Sequence, residues 1–159
     1  MSSKTVKQKK AVRIFWRWIG LLLFLCYLSG LIYATLFTYN HYAYGKSLNL
    51  VLFDSIRLMW DSRDYMLIFK NIIGNVMLFF PLGFLLPLIS RKLSSWRAMF
   101  LIGFGTSGII EVLQYQYAQR IFDIDDILLN GIGTMIGLLI FKICALFFRI
   151  IERNFSRKK

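Results

Sequence analysis

The sequence is dominated by four long apolar segments separated by shorter polar connections. A helix needs about 20 mostly apolar residues to cross a bilayer, because the hydrocarbon core is about 30 Å thick and each residue adds about 1.5 Å. The pattern therefore predicts an all-α, polytopic membrane bundle. Its four transmembrane helices are expected at residues 14–37, 71–89, 96–115 and 127–148, within a single domain that covers residues 1–159.

Charged residues lie near the ends of the first and last apolar segments. The first follows a basic leader, has no formal charge from Trp18 onward and is longer than the core of a signal peptide. We therefore expect it to remain as an uncleaved anchor. Lys142 lies near the end of the fourth segment, where its long side chain can carry the ammonium group to the interface.

The connection between the first two spans, residues 38–70, has an apolar pattern of its own. Its apolar positions recur at helical spacing and are Leu50, Phe53, Ile56, Met59 and Trp60. This spacing predicts an amphipathic helix lying at the membrane surface. A loop folded over the mouth of the bundle is the alternative that the pattern leaves open.

The composition supports a lipid environment. Apolar residue types make up 57% of the chain and charged types 18%, whereas soluble domains average about 45–50% and about 25%. The two cysteines, Cys26 and Cys144, both lie inside apolar runs. This placement excludes a disulfide framework and a zinc site built from thiolates.

The net charge of +12 does not indicate nucleic-acid binding, because the basic residues lie at the chain ends and in short connections rather than along one soluble face. Fifteen of the 20 Lys and Arg residues fall on one side of the four predicted spans. By the positive-inside rule, both termini are cytoplasmic and the segments 38–70 and 116–126 face outward. Six of the 8 acidic residues fall on that outer side.

Polar side chains inside the spans carry the most information about function, because each is costly at membrane depth and tends to face the bundle interior. Three spans carry such residues at their outer ends: Asn71, Asn75, Glu111, Gln114, Asp126 and Asn130. Each span holds its pair three or four residues apart, and therefore on one helix face. We expect all six at one depth, in a polar pocket open to the outside.

The pocket residues are assigned hypothetical roles. Candidate catalytic residues are Glu111, Gln114, Asp123, Asp125 and Asp126. Candidate substrate-binding residues are Asn71, Asn75, Arg120 and Asn130. Glu111 is expected to accept a proton or to pair with Arg120 or an asparagine amide, because an unpaired carboxylate is costly there. The aspartates are expected to bind hydroxyl groups or a cation, and the amides to orient the ligand.

Structural roles remain open for several of these residues. Asn71 and Asn75 can serve as hydrogen-bond partners between helices. Asp123 or Asp125 can cap the fourth helix, and Asp126 would then interact favourably with the helix dipole in the first turn.

No cofactor is expected. The oxygen donors of the pocket suit a divalent cation such as Mg²⁺, which remains the alternative, although their spacing does not match a calcium loop. His41 is the sole histidine, and no Ser-His-Asp or Cys-His arrangement can be assembled around it. We therefore expect His41 to be an interfacial polar residue rather than a general base.

Small residues indicate where the helices pack closely. The third span presents Gly103, Gly105, Ser107 and Gly108, and the fourth carries a GxxxG motif from Gly133 to Gly137. These two small-residue surfaces are expected to pack on each other. Pro81 lies inside the second span and is expected to kink it.

Three motifs occur in order along the chain. They are Asn71-Ile-Ile-Gly-Asn75 with Pro81, Gly83 and Pro87 beyond it; Glu111-Val-Leu-Gln114; and Arg120-Ile-Phe-Asp123-Ile-Asp125-Asp126 followed by Asn130 and Gly133. Together they resemble the VanZ-like family of small bacterial membrane proteins, over most of residues 31–141. One departure is Leu52, where many family members carry proline.

The resemblance implies resistance to glycopeptide antibiotics, chiefly the lipid-bearing teicoplanin, without the changed peptidoglycan precursor on which vancomycin resistance depends. We therefore expect a cell-membrane protein whose outward-facing pocket acts on or binds a cell-envelope lipid or polymer and so lowers susceptibility to teicoplanin-type lipoglycopeptides. A non-catalytic scaffold or binding module is the alternative, and the sequence leaves open whether the protein is an enzyme. The expected partners are membrane lipids and an envelope lipid or lipoglycopeptide ligand.

Overall fold

The computed structural model describes residues 3–37, 47–118 and 120–157, so the expectation for His41 lies outside the described residues. In chain order the elements are α1 (Ser3–Ile32), a π-helical turn (Tyr33–Phe37), β1 (Leu48–Asn49), α2 (Asp54–Asp61), α3 (Tyr65–Ile68), a second π-helical turn (Phe69–Ile73), α4 (Gly74–Ile89), a 3₁₀ turn (Arg91–Ser94), α5 (Trp96–Tyr117), β2 (Phe122–Asp123) and α6 (Ile124–Arg157).

Four helical segments of the described chain are long and apolar enough to cross a membrane, which confirms the predicted all-α, polytopic architecture. They are Ile14–Phe37, Tyr65–Ile89, Trp96–Tyr117 and Ile124–Asn154. The second begins before the predicted residue 71, because the Asp64 carboxylate accepts the backbone N–H groups of Met66 and Leu67 and starts the helix there. The kink expected at Pro81 stays a prediction.

The closest helix packing joins α4 to α6. A Cβ atom at Gly133 would lie 2.2 Å from the backbone oxygen of Val76, and one at Gly137 would lie 2.1 Å from that of Phe80. The GxxxG motif of α6 therefore faces α4, and the prediction that it packs on the third span is wrong. α5 does pack on α6, but through another face, where Thr134 lies against Gly103. Because α6 packs against both α4 and α5, the GxxxG motif alone does not indicate which of these two helices it contacts.

The apolar core lies between the long helices, where Leu31, Phe79, Met99 and Leu138 are fully buried. Many large apolar side chains on the outer faces of the spans are instead exposed. Leu101, for example, is 70% exposed. An apolar exterior of this kind fits a bundle surrounded by lipid, because apolar side chains are favourable next to lipid chains and unfavourable in water.

The basic segments gather at one end of the bundle. Gly20 of α1 lies against Leu88 near the end of α4, and the ammonium group of Lys142 lies 4.5 Å from the ring centroid of Trp96, at the start of α5. The N-terminal part of α1, the connection after α4 and the C-terminal part of α6 therefore lie at the same end of the bundle. The placement of this end in the cytoplasm stays a prediction.

Candidate functional site

The opposite end of the bundle, which we call the site end, is formed by residues 47–70 and by the connection between α5 and α6. The two short strands pair in parallel, with Leu48 opposite Phe122 and Asn49 opposite Asp123. The backbone N–H of Phe122 donates to the carbonyl of Ser47 over 3.1 Å. This pairing holds the segment before α2 against the start of α6.

A helix is present in this segment, α2, but it begins only at Asp54, after Leu50 and Phe53 of the predicted pattern, and its placement at the membrane surface stays a prediction. It is anchored by Asp125. One Asp125 carboxylate oxygen accepts the N–H of Phe53 over 2.6 Å, and the other accepts the N–H of Ile56 over 3.4 Å. Asp125 is only 1% exposed. Phe53 has φ 66°, a left-handed conformation that costs a non-glycine residue roughly 1–2 kcal/mol. Asp125 therefore caps a helix other than its own and helps to hold a strained turn.

Asp123 caps α6, as one of the alternatives for it predicted. Its Oδ1 accepts the N–H of Asp125 over 2.9 Å and the amide of Asn49 over 3.3 Å. Its Oδ2 accepts the hydroxyl of Ser55. Both oxygens of Asp123 are thus bonded to protein donors. Sequence reasoning missed Asn49 and Ser55, because no periodic pattern marks a contact between α6 and a distant loop.

The two candidate site residues of α5, Glu111 and Gln114, are both buried, and each joins α5 to another element. The Oε2 of Glu111 accepts the backbone N–H of Asp123 over 3.1 Å. The amide of Gln114 donates to the carbonyl of Thr35 over 2.8 Å, which ties α5 to the end of the first span. Glu111 therefore has a backbone partner rather than the asparagine amide or arginine that was expected. Arg120 interacts with it only at longer electrostatic range.

The two asparagines at the start of the second span differ in their partners. The amide of Asn75 donates to Oδ1 of Asp126 over 2.5 Å. The amide of Asn71 donates to the carbonyl of Leu67 in its own helix over 2.9 Å. Asn75 thus joins two spans, whereas Asn71 does so through no hydrogen bond among the described residues.

Asn130 lies one helical turn below Asp126 and is only 4% exposed. Its amide donates to the hydroxyl of Ser107 over 2.8 Å, and its backbone carbonyl accepts the hydroxyl of Thr134 over 3.0 Å. Its side-chain oxygen has no hydrogen-bond partner among the described residues. Asn130 therefore belongs to the packing between α5 and α6 and does not line the cavity described next.

A cavity of about 490 Å³ opens at the site end, between α2, the start of the second span and the connection before α6. Its polar lining includes Asn71, Arg120, Asp123 and Asp126, all four of which the sequence singled out. Glu111, Gln114, Asn75, Asp125 and Asn130 do not line it; they hold or surround the elements that do. The structure thus brings four of the predicted site residues to one cavity. The other five do not line the cavity.

Sequence analysis assigned none of the other lining residues to the pocket, although Met59 belongs to the apolar pattern that predicted a helix in this segment. They include the polar side chains of Asn49, Asp54 and Ser55 and the apolar side chains of Leu58, Met59, Leu67 and Ile121. Leu67 and Asn71 are four residues apart and share a helix face. The cavity therefore has polar and apolar walls side by side, which is a typical composition for a ligand site.

The charged groups of the cavity are only partly neutralised by the protein. Within the described chain, the guanidinium of Arg120 and the carboxylate of Asp54 have neither an ion pair nor a side-chain hydrogen bond, and Asp126 has one bonded oxygen. Arg120 does interact electrostatically with Asp126. In residues 3–37, 47–118 and 120–157, no group of three His, Cys, Asp or Glu side chains is arranged to hold a metal ion.

Comparison with known proteins gives one match. A family model described as VanZ/LLP1 matches residues 19–147, a range that contains all four spans in part or in full and every residue of the site. The searches found no significant match among curated proteins or among solved structures.

Proposed function

The chain belongs to the VanZ/LLP1 family, and from this premise we propose that it is a cell-membrane protein that lowers susceptibility to teicoplanin-type lipoglycopeptides. In this proposal the cavity at the site end faces outward and binds an amphiphilic molecule of the cell envelope. Occupancy of the cavity then limits the access of the antibiotic to the membrane surface. The family resemblance supports the proposed decrease in susceptibility to lipoglycopeptides. The cavity supports the proposed binding of an amphiphilic envelope molecule.

One observation carries the binding proposal. Arg120 and Asp126 line the same cavity as Leu58 and Leu67, and the guanidinium of Arg120 forms no ion pair within the described chain. A charged group left unpaired in a half-enclosed site is costly unless a ligand or water satisfies it. Polar and apolar walls in one cavity fit a molecule that has a polar headgroup and a hydrocarbon part.

The hydrogen bonds of the acidic residues favour binding over catalysis. Asp123 and Asp125 use both carboxylate oxygens to hold protein groups, and Glu111 accepts a backbone N–H. A general acid or base must reach the reacting proton of the substrate, within a hydrogen-bond distance or through one water. Asp126 is the acidic candidate that both lines the cavity and keeps one oxygen without a hydrogen bond to the described residues.

The test uses charge-removing variants with matched controls. Arg120→Gln and Asp126→Asn change the cavity, whereas Arg57→Gln and Asp61→Asn change an exposed pair of α2 whose charged atoms lie 3.9 Å apart. Each variant is expressed in a susceptible host, its membrane abundance is measured, and teicoplanin susceptibility is compared. Loss of a hydrogen bond to a charged group is worth about 1.5–3 kcal/mol, so the cavity variants should weaken binding roughly tenfold or more.

The expected result is loss of protection in both cavity variants and full protection in both controls, at equal abundance. Full protection by Arg120→Gln and Asp126→Asn would contradict the proposal. Extracted envelope lipids are analysed in parallel. An envelope lipid that changes chemically with the wild-type protein but not with Asp126→Asn would favour an enzyme instead of a binding protein.

A further inference from the structure

We propose that the cavity binds the headgroup of a phospholipid that carries both a primary ammonium and a phosphate, as ethanolamine phospholipids do. This inference rests on the proposed function and adds the chemical class of the ligand. Within the described part of the chain, the cavity is lined by one guanidinium group and three carboxylate groups.

Arg120 provides the site for the phosphate. Its guanidinium lines the cavity and has no ion pair or side-chain hydrogen bond within the described residues. The planar guanidinium donates two parallel hydrogen bonds to phosphate oxygens, which fixes both distance and orientation. Arg57 of α2 lacks this setting, because it lies near Asp61 on an exposed helix surface and does not line this cavity.

The carboxylates indicate that the ligand also carries a positive charge. Asp54, Asp123 and Asp126 line the cavity together with the single cation Arg120, so the formal charge of the described lining is negative. A headgroup with only a phosphate would meet repulsion from this excess, whereas an ammonium group offsets it. Among the three carboxylates of the lining, the Asp54 carboxylate and the second oxygen of Asp126 form no hydrogen bond within the described chain.

A primary ammonium fits this lining better than a quaternary one. A primary ammonium has three N–H donors for carboxylate oxygens, whereas a trimethylammonium group has none and is usually held by aromatic rings. No aromatic side chain is found among the described residues that line the cavity. The lining therefore selects for an ethanolamine-type headgroup over a choline-type headgroup.

The apolar wall indicates a lipid rather than a soluble phosphoethanolamine. Leu58, Leu67 and Ile121 line the same cavity, and Leu67 belongs to a segment apolar enough to cross the membrane. The acyl chains of a lipid in the surrounding leaflet could therefore continue from the headgroup along the span. Burial of hydrocarbon would add to the binding free energy in proportion to the area removed from water.

The test measures binding to the purified full chain in a non-ionic detergent by isothermal titration calorimetry. Four probes are titrated: dihexanoyl phosphatidylethanolamine, dihexanoyl phosphatidylcholine, dihexanoyl phosphatidylglycerol and phosphoethanolamine without chains. We expect the ethanolamine lipid to bind about tenfold more tightly than the choline and glycerol lipids, since one charge-assisted interaction is worth about 1.5–3 kcal/mol. Phosphoethanolamine without chains should also bind about tenfold more weakly, because it buries no hydrocarbon against the apolar wall.

Variants test which residues bind the ammonium group of the lipid headgroup and which bind its phosphate. Asp54→Asn and Asp126→Asn should reduce the preference for ethanolamine over choline lipid, and Arg120→Gln should weaken both lipids. Asp61→Asn, on the exposed surface of α2, should leave all affinities unchanged. Thermal unfolding of each variant is recorded, and Asp54→Asn serves as the variant that leaves the Asn75–Asp126 hydrogen bond intact.

Equal affinity for ethanolamine and choline lipids, or tighter binding of phosphatidylglycerol, overturns the assigned headgroup. Equal affinity for phosphoethanolamine without chains overturns the lipid assignment. If phosphatidylglycerol binds best and Arg120→Gln abolishes that binding, the proposed amphiphile site stands and only its ligand class fails. If no chain-bearing probe binds, the proposed function fails together with this inference.

Discussion

Asn75 and Asp126 are joined by a hydrogen bond of 2.5 Å, in which the amide donates to the carboxylate across the contact between the second and fourth spans. Hydrogen bonds to a charged acceptor are stronger than those between neutral groups. The bond also orients Asp126, whose second oxygen is then left for the cavity. The two residues therefore link the stability of the bundle to the geometry of the candidate site.

Removing the amide should destabilise the protein. In Asn75→Ala the partly buried carboxylate loses its donor, and we expect a loss of about 1–3 kcal/mol in the free energy of unfolding. Asn71→Ala is the matched control, because Asn71 donates only to a carbonyl of its own helix. The free energy of unfolding of both variants is measured in mixed micelles. Equal destabilisation by the two variants would contradict the prediction that the hydrogen bond between the spans contributes more to stability than the one within a helix.

Asp125 should control the order of α2. In Asp125→Ala the N–H groups of Phe53 and Ile56 lose their carboxylate acceptor, and loss of a helix cap costs about 0.5–2 kcal/mol. Hydrogen exchange of residues 53–61 should become faster, while exchange in α5 stays slow. Asp61→Ala, in the same helix but exposed, is the control. Unchanged exchange in Asp125→Ala would refute the anchoring role.

The close contact of α4 with α6 should not tolerate an added methyl group. Gly137→Ala would place a Cβ atom 2.1 Å from the backbone oxygen of Phe80, so the helices must separate. Overpacking of this kind costs about 1–3 kcal/mol. Gly105→Ala is the control, since nothing lies within 4 Å of a Cβ atom there. Thermal unfolding in detergent should separate the two variants, and equal melting temperatures would disagree with the packing described.

The predicted orientation can be tested by thiol labelling. With Cys26 and Cys144 replaced by alanine, a new cysteine is placed at the exposed Asp61 or at the exposed Lys92. A membrane-impermeant maleimide should label Asp61→Cys in intact cells and Lys92→Cys only after lysis. This pattern follows from the positive-inside rule. The reverse pattern would place the cavity in the cytoplasm and remove the basis of the proposed function.

Part of the site was predictable because the polar residues lie at similar depths in the predicted spans. A polar residue within an apolar helix has a depth fixed by its position along that helix, so Asn75 and Asp126 could be placed at one level from the sequence. Their direct contact could not be predicted from depth alone, because it also depends on how each helix is rotated about its axis. Asn71, at nearly the same level, forms its hydrogen bond within its own helix instead.

The contributions of the outer segment were not predictable. Asn49 and Ser55 reach Asp123 because β1 pairs with β2, and two paired residues leave no periodic signal in the sequence. The role of Asp125 was hidden for the same reason, since its acceptor oxygens face α2 rather than its own helix. A pattern of residue types reports local structure, whereas these contacts join distant parts of the chain.

The sequence by itself determined the four spans, because the length and apolar character of a segment are local properties that decide whether it can lie in lipid. It also determined which end of each span carries polar groups. Only the tertiary structure decided that the GxxxG motif serves α4 and that Asp126, rather than Asp125, lines the cavity. These choices depend on helix rotation and on contacts between distant segments, and neither is encoded in the periodicity of a single helix.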